Sequence, residues 1–471
     1  MTTNNPVLFT DEQMRTFITE GFLILKADFP KAFHDRLVEQ LNEVYEKEGN
    51  PGNNLLPRIR ELQKVFDHPV ITGALTSVLG PNYMLHAHRH GHHNSVPVAG
   101  GWHKDSYWGY DRLRNHHPWW AMIMYFPQDT PIELGPTGIM PGTQNYETRV
   151  FESDETDTEA VASGEAGTFA IIQYDIWHRS TPNRLGKPRF MLKFEFMRTT
   201  APVAPSWSNA DPQWRKPSGA DRLPAQHERL WEETWNWLSG KIGSMAGTRP
   251  GEAESVSAAV EMLTTETFEP AAMNAAYDLA CSGPAGVERL LQALRHDNVE
   301  VSRLAAYGLS IAGRSAVPGL IAALDDAREE TVNHAVFALG EMREQAAEST
   351  PKLVGLLASG SERVRRTVVD ALGMIGASSA ATVPGLIRCL SDGDDQTRFM
   401  AGLALSRIGP AAAEAVPHLE KSLDDENRYV RAHSAEALRY IGTEQARDIL
   451  IKELFNNRWC ATTTPASTFY P

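Results

Sequence analysis

The sequence predicts two unlike parts in one chain: an antiparallel β-barrel of jelly-roll type in the first 200 residues, then an all-α solenoid from about residue 265 onward. Three observations predict it. Apolar and alternating segments separated by Pro/Gly turns fill the first part, and a unit of 30–33 residues repeats through the second. Between the barrel segments lie two short motifs, Gly101-Trp102-His103-Lys104-Asp105 and Trp177-His178-Arg179-Ser180. Their polar residues recur at the two-residue period of an extended strand.

Bulk properties narrow the class. With 42% hydrophobic and 22% charged residues, 471 residues can bury more than one core, which excludes wholesale disorder. A net charge of −14 argues against a nucleic-acid or anionic-membrane partner. Cys281, Cys389 and Cys460 are too widely spaced for a disulfide framework or a zinc knuckle, which suits reduced thiols. Residues 1–6 lack the basic and apolar regions of a signal peptide, and no apolar run reaches the roughly 20 residues needed to span a bilayer. The expected location is cytoplasmic.

The barrel strands are expected at 85–90, 120–126, 168–177 and 189–198. In the last of these, Phe190, Leu192, Phe194 and Phe196 share one face, while Arg189, Met191, Lys193 and Glu195 share the other. One face suits packing under helices and the other suits a polar interior. Domain limits are expected at 1–200, with a Pro/Trp-rich connector at 201–264, the solenoid at 265–457 and an irregular tail at 458–471. Within the connector, residues 225–242 predict a helix with Leu230, Trp231, Trp235 and Leu238 in one stripe, to be buried against the barrel.

In the solenoid, Leu279, Leu309, Leu339, Leu372, Leu405 and Leu438 hold equivalent places, at spacings of 30, 30, 33, 33 and 33 residues. Shorter apolar helices are expected between them, near Val317, Pro351, Val383 and Val416. Two helices per repeat cannot bury their own apolar faces, so stacking must supply the core. The pattern resembles HEAT repeats, particularly the short variety of phycobilisome-lyase-like proteins.

The motifs carry the chemistry. His103 and Asp105 point to one side of an extended chain, and His178 brings a second imidazole from a distant strand. Two imidazoles and one carboxylate form the facial triad of non-haem Fe(II) oxygenases, which leaves coordination positions open. Ser180 faces inward two residues beyond His178. Arg189 opens the next strand, where its fork suits bidentate capture of a carboxylate.

The first 200 residues are therefore similar to the phytanoyl-CoA dioxygenase family of Fe(II)/2-oxoglutarate oxygenases. The likeness rests on Glu20-Gly21-Phe22-Leu23-Ile24-Leu25, the run from Gly135-Pro136-Thr137-Gly138 to Pro141-Gly142-Thr143-Gln144, and the motifs above. Thr143 and Gln144 replace the family's usual Ser-His in that turn. The resemblance implies a cupin-like double-stranded β-helix, with His103, Asp105 and His178 as iron ligands and Ser180 and Arg189 binding 2-oxoglutarate. It implies dioxygen-dependent oxidation of a C–H bond with release of succinate and CO2. Asp105 stands where related halogenases carry a small residue, so the expected outcome is hydroxylation, desaturation or ring closure.

Further candidates surround the triad. Trp102, Tyr107, Trp108 and His88 are expected near the substrate, the aromatics either as a cage or as core packing. His86, His88 and His90 either line the pocket or form a second metal site. Lys104 is expected to point outward. HEAT-like repeats also occur in the deoxyhypusine hydroxylase type of iron enzyme, but His227-Glu228 is the sole His-Glu pair here and lies outside the repeats. A small-molecule substrate is expected. The alternatives are a polypeptide recruited by the repeats, self-association through them, or a non-catalytic scaffold.

Overall fold

In a computed structural model, the structure describes residues 5–105, 113–376 and 381–456. The predicted Tyr107 and Trp108, Cys460 and the tail at 458–471 lie outside them. Eight strands form the amino-terminal part: β1 (Phe22–Lys26), β2 (Met84–Asn94), β3 (Trp120–Tyr125), β4 (Thr137–Ile139), β5 (Ala160–Val161), β6 (Thr168–Gln173), β7 (His178–Ser180) and β8 (Arg189–Met197). They make a five-stranded sheet in the order β1-β6-β3-β8-β2 and a three-stranded sheet in the order β5-β4-β7, with antiparallel pairing throughout.

The strand expected at 168–177 is two elements. β6 ends at Gln173, and a turn at Tyr174 and Asp175 carries the chain across to β7 in the smaller sheet. A continuous apolar run conceals such a crossing, because both strands are buried. The alternation in β8 acts as read. Phe190 packs edge-to-face on Tyr45, and Phe194 lies 4.3 Å from Phe66, ring centre to ring centre, under the helices. β2 contains an irregularity: between Leu85 and Arg89, three residues oppose Glu195 alone. The bulge turns both His86 and His88 toward that carboxylate.

The connector helix Glu228–Leu238 buries Leu230, Trp231, Trp235 and Leu238. Trp235 packs against Trp207, and Arg15 of the first helix lies 5.0 Å over its ring. A further helix, Ala253–Thr265, covers the first repeat helix. The repeats pair a long helix with a shorter one, as in Glu269–Cys281 with Pro284–Ala293, and end on two long ones, Arg428–Ile441 and Glu444–Asn456. The six register leucines are all buried. At Gly373, an added Cβ would lie 2.7 Å from the Ala404 Cα, so adjacent long helices need glycine there to approach. Bidentate pairs, Arg365 with Asp392 and Arg398 with Asp425, recur one repeat apart and staple successive turns.

The long helices face the strand-bearing part of the chain. Tyr277 bonds His116 at 2.8 Å, Tyr307 accepts from the Arg114 backbone, Glu341 takes Asn115 and His117, and His433 meets His86 at 3.1 Å. The guanidinium of Arg343 lies 4.3 Å over Trp119. Arg343 holds a left-handed φ of 59°, a strain tolerated where the surroundings over-determine the residue.

His117 sits at the centre of this interface between Glu341 (3.2 Å) and Glu233 (3.6 Å), stacked on Trp237 with Arg198 on that same indole. Burial alone would lower its pKa, but the two carboxylates raise it. Burial also raises Glu233. A raised folded pKa adds stability that is full below the unfolded value and lost as pH climbs through the folded one. For His117 that loss begins above its ordinary value near 6.5. In contrast, His86 and His334 are pushed down to about 3 and His227 to about 4 by burial, so they remove stability below pH ~6.5. His117→Asn is therefore expected to flatten the decline in Tm as pH rises above ~6.5 while leaving the acid limb in place. Calorimetry across that range checks this; an unchanged alkaline slope would refute the assignment.

Candidate active site

His103 and His178 face each other across an antiparallel bridge, with backbone N–H to carbonyl distances of 3.1 and 3.0 Å. Asp105 lies two residues on, and the candidate ligand atoms of all three lie within 4.8 Å of one another. Asp105 Oδ2 is 3.3 Å from His178 Nε2, and Oδ1 is 3.9 Å from His103 Nε2. Each imidazole is oriented from behind: His103 Nδ1 donates to the Gly101 carbonyl and His178 Nδ1 to that of Ile176, both at 3.0 Å. Those bonds select the tautomer whose Nε2 lone pair points at the shared centre.

Asp105 is held twice more. Lys193 Nζ donates to Oδ2 at 2.7 Å, and the Tyr174 hydroxyl donates to the Asp105 carbonyl at 2.7 Å. Burial would raise its pKa, but His178 and Lys193 outweigh that and hold the carboxyl well below the usual range. It is ionised at neutral pH, as a metal ligand must be.

A cavity of about 230 Å³ opens beside these ligands, lined by His92, His103, His178, Ser180, Arg189 and Lys193 among others. Clefts of about 890 and 800 Å³ lie elsewhere, against the helix Ala253–Thr265 and along the helix Lys31–Glu48, but neither touches the triad. Arg189 is 2% exposed, and its Nε donates to the Gly135 carbonyl at 3.0 Å. Its Nη1 is buried without a partner, and among the described residues no carboxylate pairs with it. Burial pulls the guanidinium down to about 10. A buried, half-bonded cation beside a cluster able to hold a metal fits an anionic group reaching in from the cavity. Gly100 keeps the Ser180 hydroxyl clear, because a Cβ there would lie 2.7 Å from Oγ.

Residues 26–191 match the phytanoyl-CoA dioxygenase (PhyH) family, and residues 317–406, 350–439 and 383–458 match HEAT repeats. The amino-terminal part is a PhyH domain. PhyH proteins are iron- and 2-oxoglutarate-dependent non-haem oxygenases, and this chain is an enzyme of that class. Similar solved structures include HygX from Streptomyces hygroscopicus with nickel and 2-oxoglutarate bound, at 13% identity and a TM-score of 0.34 over 41% of this chain and 88% of that one. The carbocyclase SnoK from nogalamycin biosynthesis aligns at 15% identity and 0.33, over 42% and 88%. An engineered protein aligns at 25% identity and 0.31, over 40% and 96%. No curated protein matches the chain.

Within the PhyH domain the other predicted residues scatter. Trp102 turns away from the cavity, with the Arg179 guanidinium 4.3 Å over its ring and Phe151 at its edge. His88 faces Glu195 and the Tyr429 hydroxyl (3.4 Å) rather than the metal cluster. Lys104 does not point outward. Its ammonium turns inward to the carbonyls of Thr143, Gln144 and Asp175, and burial pushes it down to about 7. An extended chain alternates its faces, but here the face opposite the ligands is also covered. The lysine ties the turn at Pro141–Gln144 to the segment leading into His178. Thr143 accepts from the Trp177 backbone, and Gln144 donates to the carbonyl of Ile18, so this departure from the family's Ser-His is a structural brace. The cavity also takes in residues that carried no site role in the sequence, Thr137 and Lys193 among them. Lys193 shares the inward face of β8 with Arg189, which was the available signal.

His227, of the sole His-Glu pair, and His334, within the repeats, are engaged elsewhere. His227 bonds Asn274 and Tyr146, and His334 bonds Ser302. Among the described residues, the group suited to a metal is His103, Asp105 and His178.

Proposed function

We propose that this chain oxidises an unactivated C–H bond of a small molecule, with His103, Asp105 and His178 holding Fe(II) and Arg189 and Ser180 holding the far carboxylate of 2-oxoglutarate. The two sheets then correspond to the halves of a double-stranded β-helix. The observation that carries the reading is the unpartnered Arg189 Nη1, buried in the same cavity as the two ligand imidazoles. When bound, iron with 2-oxoglutarate and dioxygen supplies the oxidising power for C–H cleavage, with succinate and CO2 released.

The chain's own residues organise that chemistry. The carbonyls of Gly101 and Ile176 aim the imidazoles. Lys193 restrains one oxygen of Asp105 and supports one-oxygen ligation by the other. Arg189 and Ser180 set the co-substrate's direction from the far end of the cavity. Hydroxylation, desaturation and cyclisation all remain within reach of this centre. The solenoid face that a recruited polypeptide would use is packed against the barrel, which favours a small-molecule substrate. Buried free thiols at Cys281 and Cys389 suit the cytoplasm, and no described helix is long and apolar enough to cross a membrane.

Succinate formation from 2-oxoglutarate with Fe(II) and ascorbate tests the reading. Arg189→Gln is expected to weaken 2-oxoglutarate binding by on the order of a hundredfold, as expected for truncating a buried charge pair. Iron affinity should stay close to wild type. Wild type that forms no succinate and binds no iron would overturn the proposal.

A further inference from the structure

A ladder of imidazoles runs along the inner face of β2 from the cavity to the last full repeat. His92 lines the cavity; its ring lies 5.0 Å from that of His90, and His90 stacks on His88 at 6.0 Å. His88 Nδ1 then meets the hydroxyl of Tyr429 at 3.4 Å, on the helix Arg428–Ile441. Arg428 reaches that hydroxyl at 3.2 Å, and its guanidinium lies 4.9 Å over the Tyr429 ring. His88, His90 and Tyr429 are half-buried, and Arg428 at the solenoid end is exposed.

The charges nearest the middle of the ladder are cationic. Lys193 stands across from His90 in the β2–β8 register, and the charges that bear on His90 are Lys193 and Arg428. Burial keeps the ladder neutral, pushing His88 down to about 4 and His92 to about 3. Glu195 is fully buried behind His86 and His88. In a chain of net charge −14, a cationic rim over neutral imidazoles is a selective feature.

We infer that the helix Arg428–Ile441 forms the outer wall of the substrate track, and that Arg428 and Tyr429 bind an oxyanion, a carboxylate or a phosphate, carried by the substrate. The inference rests on the oxygenase reading and makes the repeats part of the substrate site. Arg428 is the specificity-determining residue, because a guanidinium pairs its N–H groups with two oxygens of such a group. Tyr429 adds a hydroxyl donor at fixed height above the ladder.

The test titrates inorganic phosphate, and acetate in a parallel arm, into the full-length protein saturated with iron and 2-oxoglutarate, read by calorimetry. Saturation keeps the anions off Arg189. Arg428→Gln is expected to weaken the preferred anion by about tenfold or more, and Tyr429→Phe by about fivefold. Arg431→Gln removes the same charge from the same helix, but its guanidinium is engaged by the Asp425 and Glu426 carbonyls, so it should change affinity by less than about twofold. The arm that binds more tightly identifies the group. Equal losses in Arg428→Gln and Arg431→Gln, or no anion binding, would overturn the inference. Failure to load iron and 2-oxoglutarate overturns the oxygenase reading instead, and the same comparison on unloaded protein then still decides the anion site.

Discussion

Replacing His178 by Ala is expected to abolish tight iron binding and to lower succinate formation by roughly a thousandfold or more, equivalent to ~4 kcal/mol of lost transition-state stabilisation. His178 is the better probe of the triad because its loss leaves little else unbalanced. Its Nδ1 bonds one backbone carbonyl, and its Nε2 faces the centre. Asp105→Ala should be equally inactive but would also strip Lys193 of its buried partner, so a loss of activity there would mix catalysis with misfolding. A structural His178 predicts the reverse: lowered Tm, with iron binding retained in whatever protein folds. Iron titration of the purified variant, with its melting curve, separates the two. Tight iron binding by folded His178→Ala would sink the assignment of all three ligands, since they share one centre.

Glu269→Ala is expected to produce a large loss of stability, about 3–5 kcal/mol, the usual range for breaking a buried charge pair. The carboxylate is 7% exposed and joins the two parts of the molecule. Oε1 accepts from the Glu147 backbone and from Arg303, both at 3.0 Å. Oε2 accepts from the Thr148 backbone at 2.7 Å and from its hydroxyl at 2.5 Å. Alanine would leave two backbone N–H groups without their acceptor and weaken the pairing of Arg303, which is 1% exposed and, among the described residues, would keep the pair with Glu300. Glu269→Gln keeps an acceptor oxygen and should recover part of the loss. Residues 147 and 148 follow the turn braced by Lys104 and Gln144, so loosening this anchor should also raise the concentration of 2-oxoglutarate needed for half-maximal turnover. Denaturant titration of the three proteins checks the order wild type, Gln, Ala; Ala within about 0.5 kcal/mol of wild type would refute it.

Much of the fold was legible because its periods are simple. The register leucines mark the long helices at their 30–33-residue spacing, and the alternation in β8 separates a face under helices from a face in the cavity. The triad candidates were legible for the same reason, since residues two apart on an extended chain share a side. Reading failed where one rule had to serve two environments. Lys104 alternates away from the ligands as expected, but that side is also buried. The apolar run at 168–177 hides a passage between sheets. In β2, nothing in the sequence signalled the bulge opposite Glu195 that turns His86 and His88 to that carboxylate.

The sequence by itself determined the two architectures, the candidate metal ligands and the Arg–Ser pair beside them, because each depends on local spacing or on residue chemistry. Tertiary structure alone decided how the parts meet. No local pattern links His116 to Tyr277, His117 to Glu341 or His86 to His433, residues 161, 224 and 347 positions apart. Those pairs exist because the long repeat helices present one face, at one rise per repeat, to a barrel surface of matching polarity. That docking turns the repeats from a separate scaffold into a layer packed on the amino-terminal part.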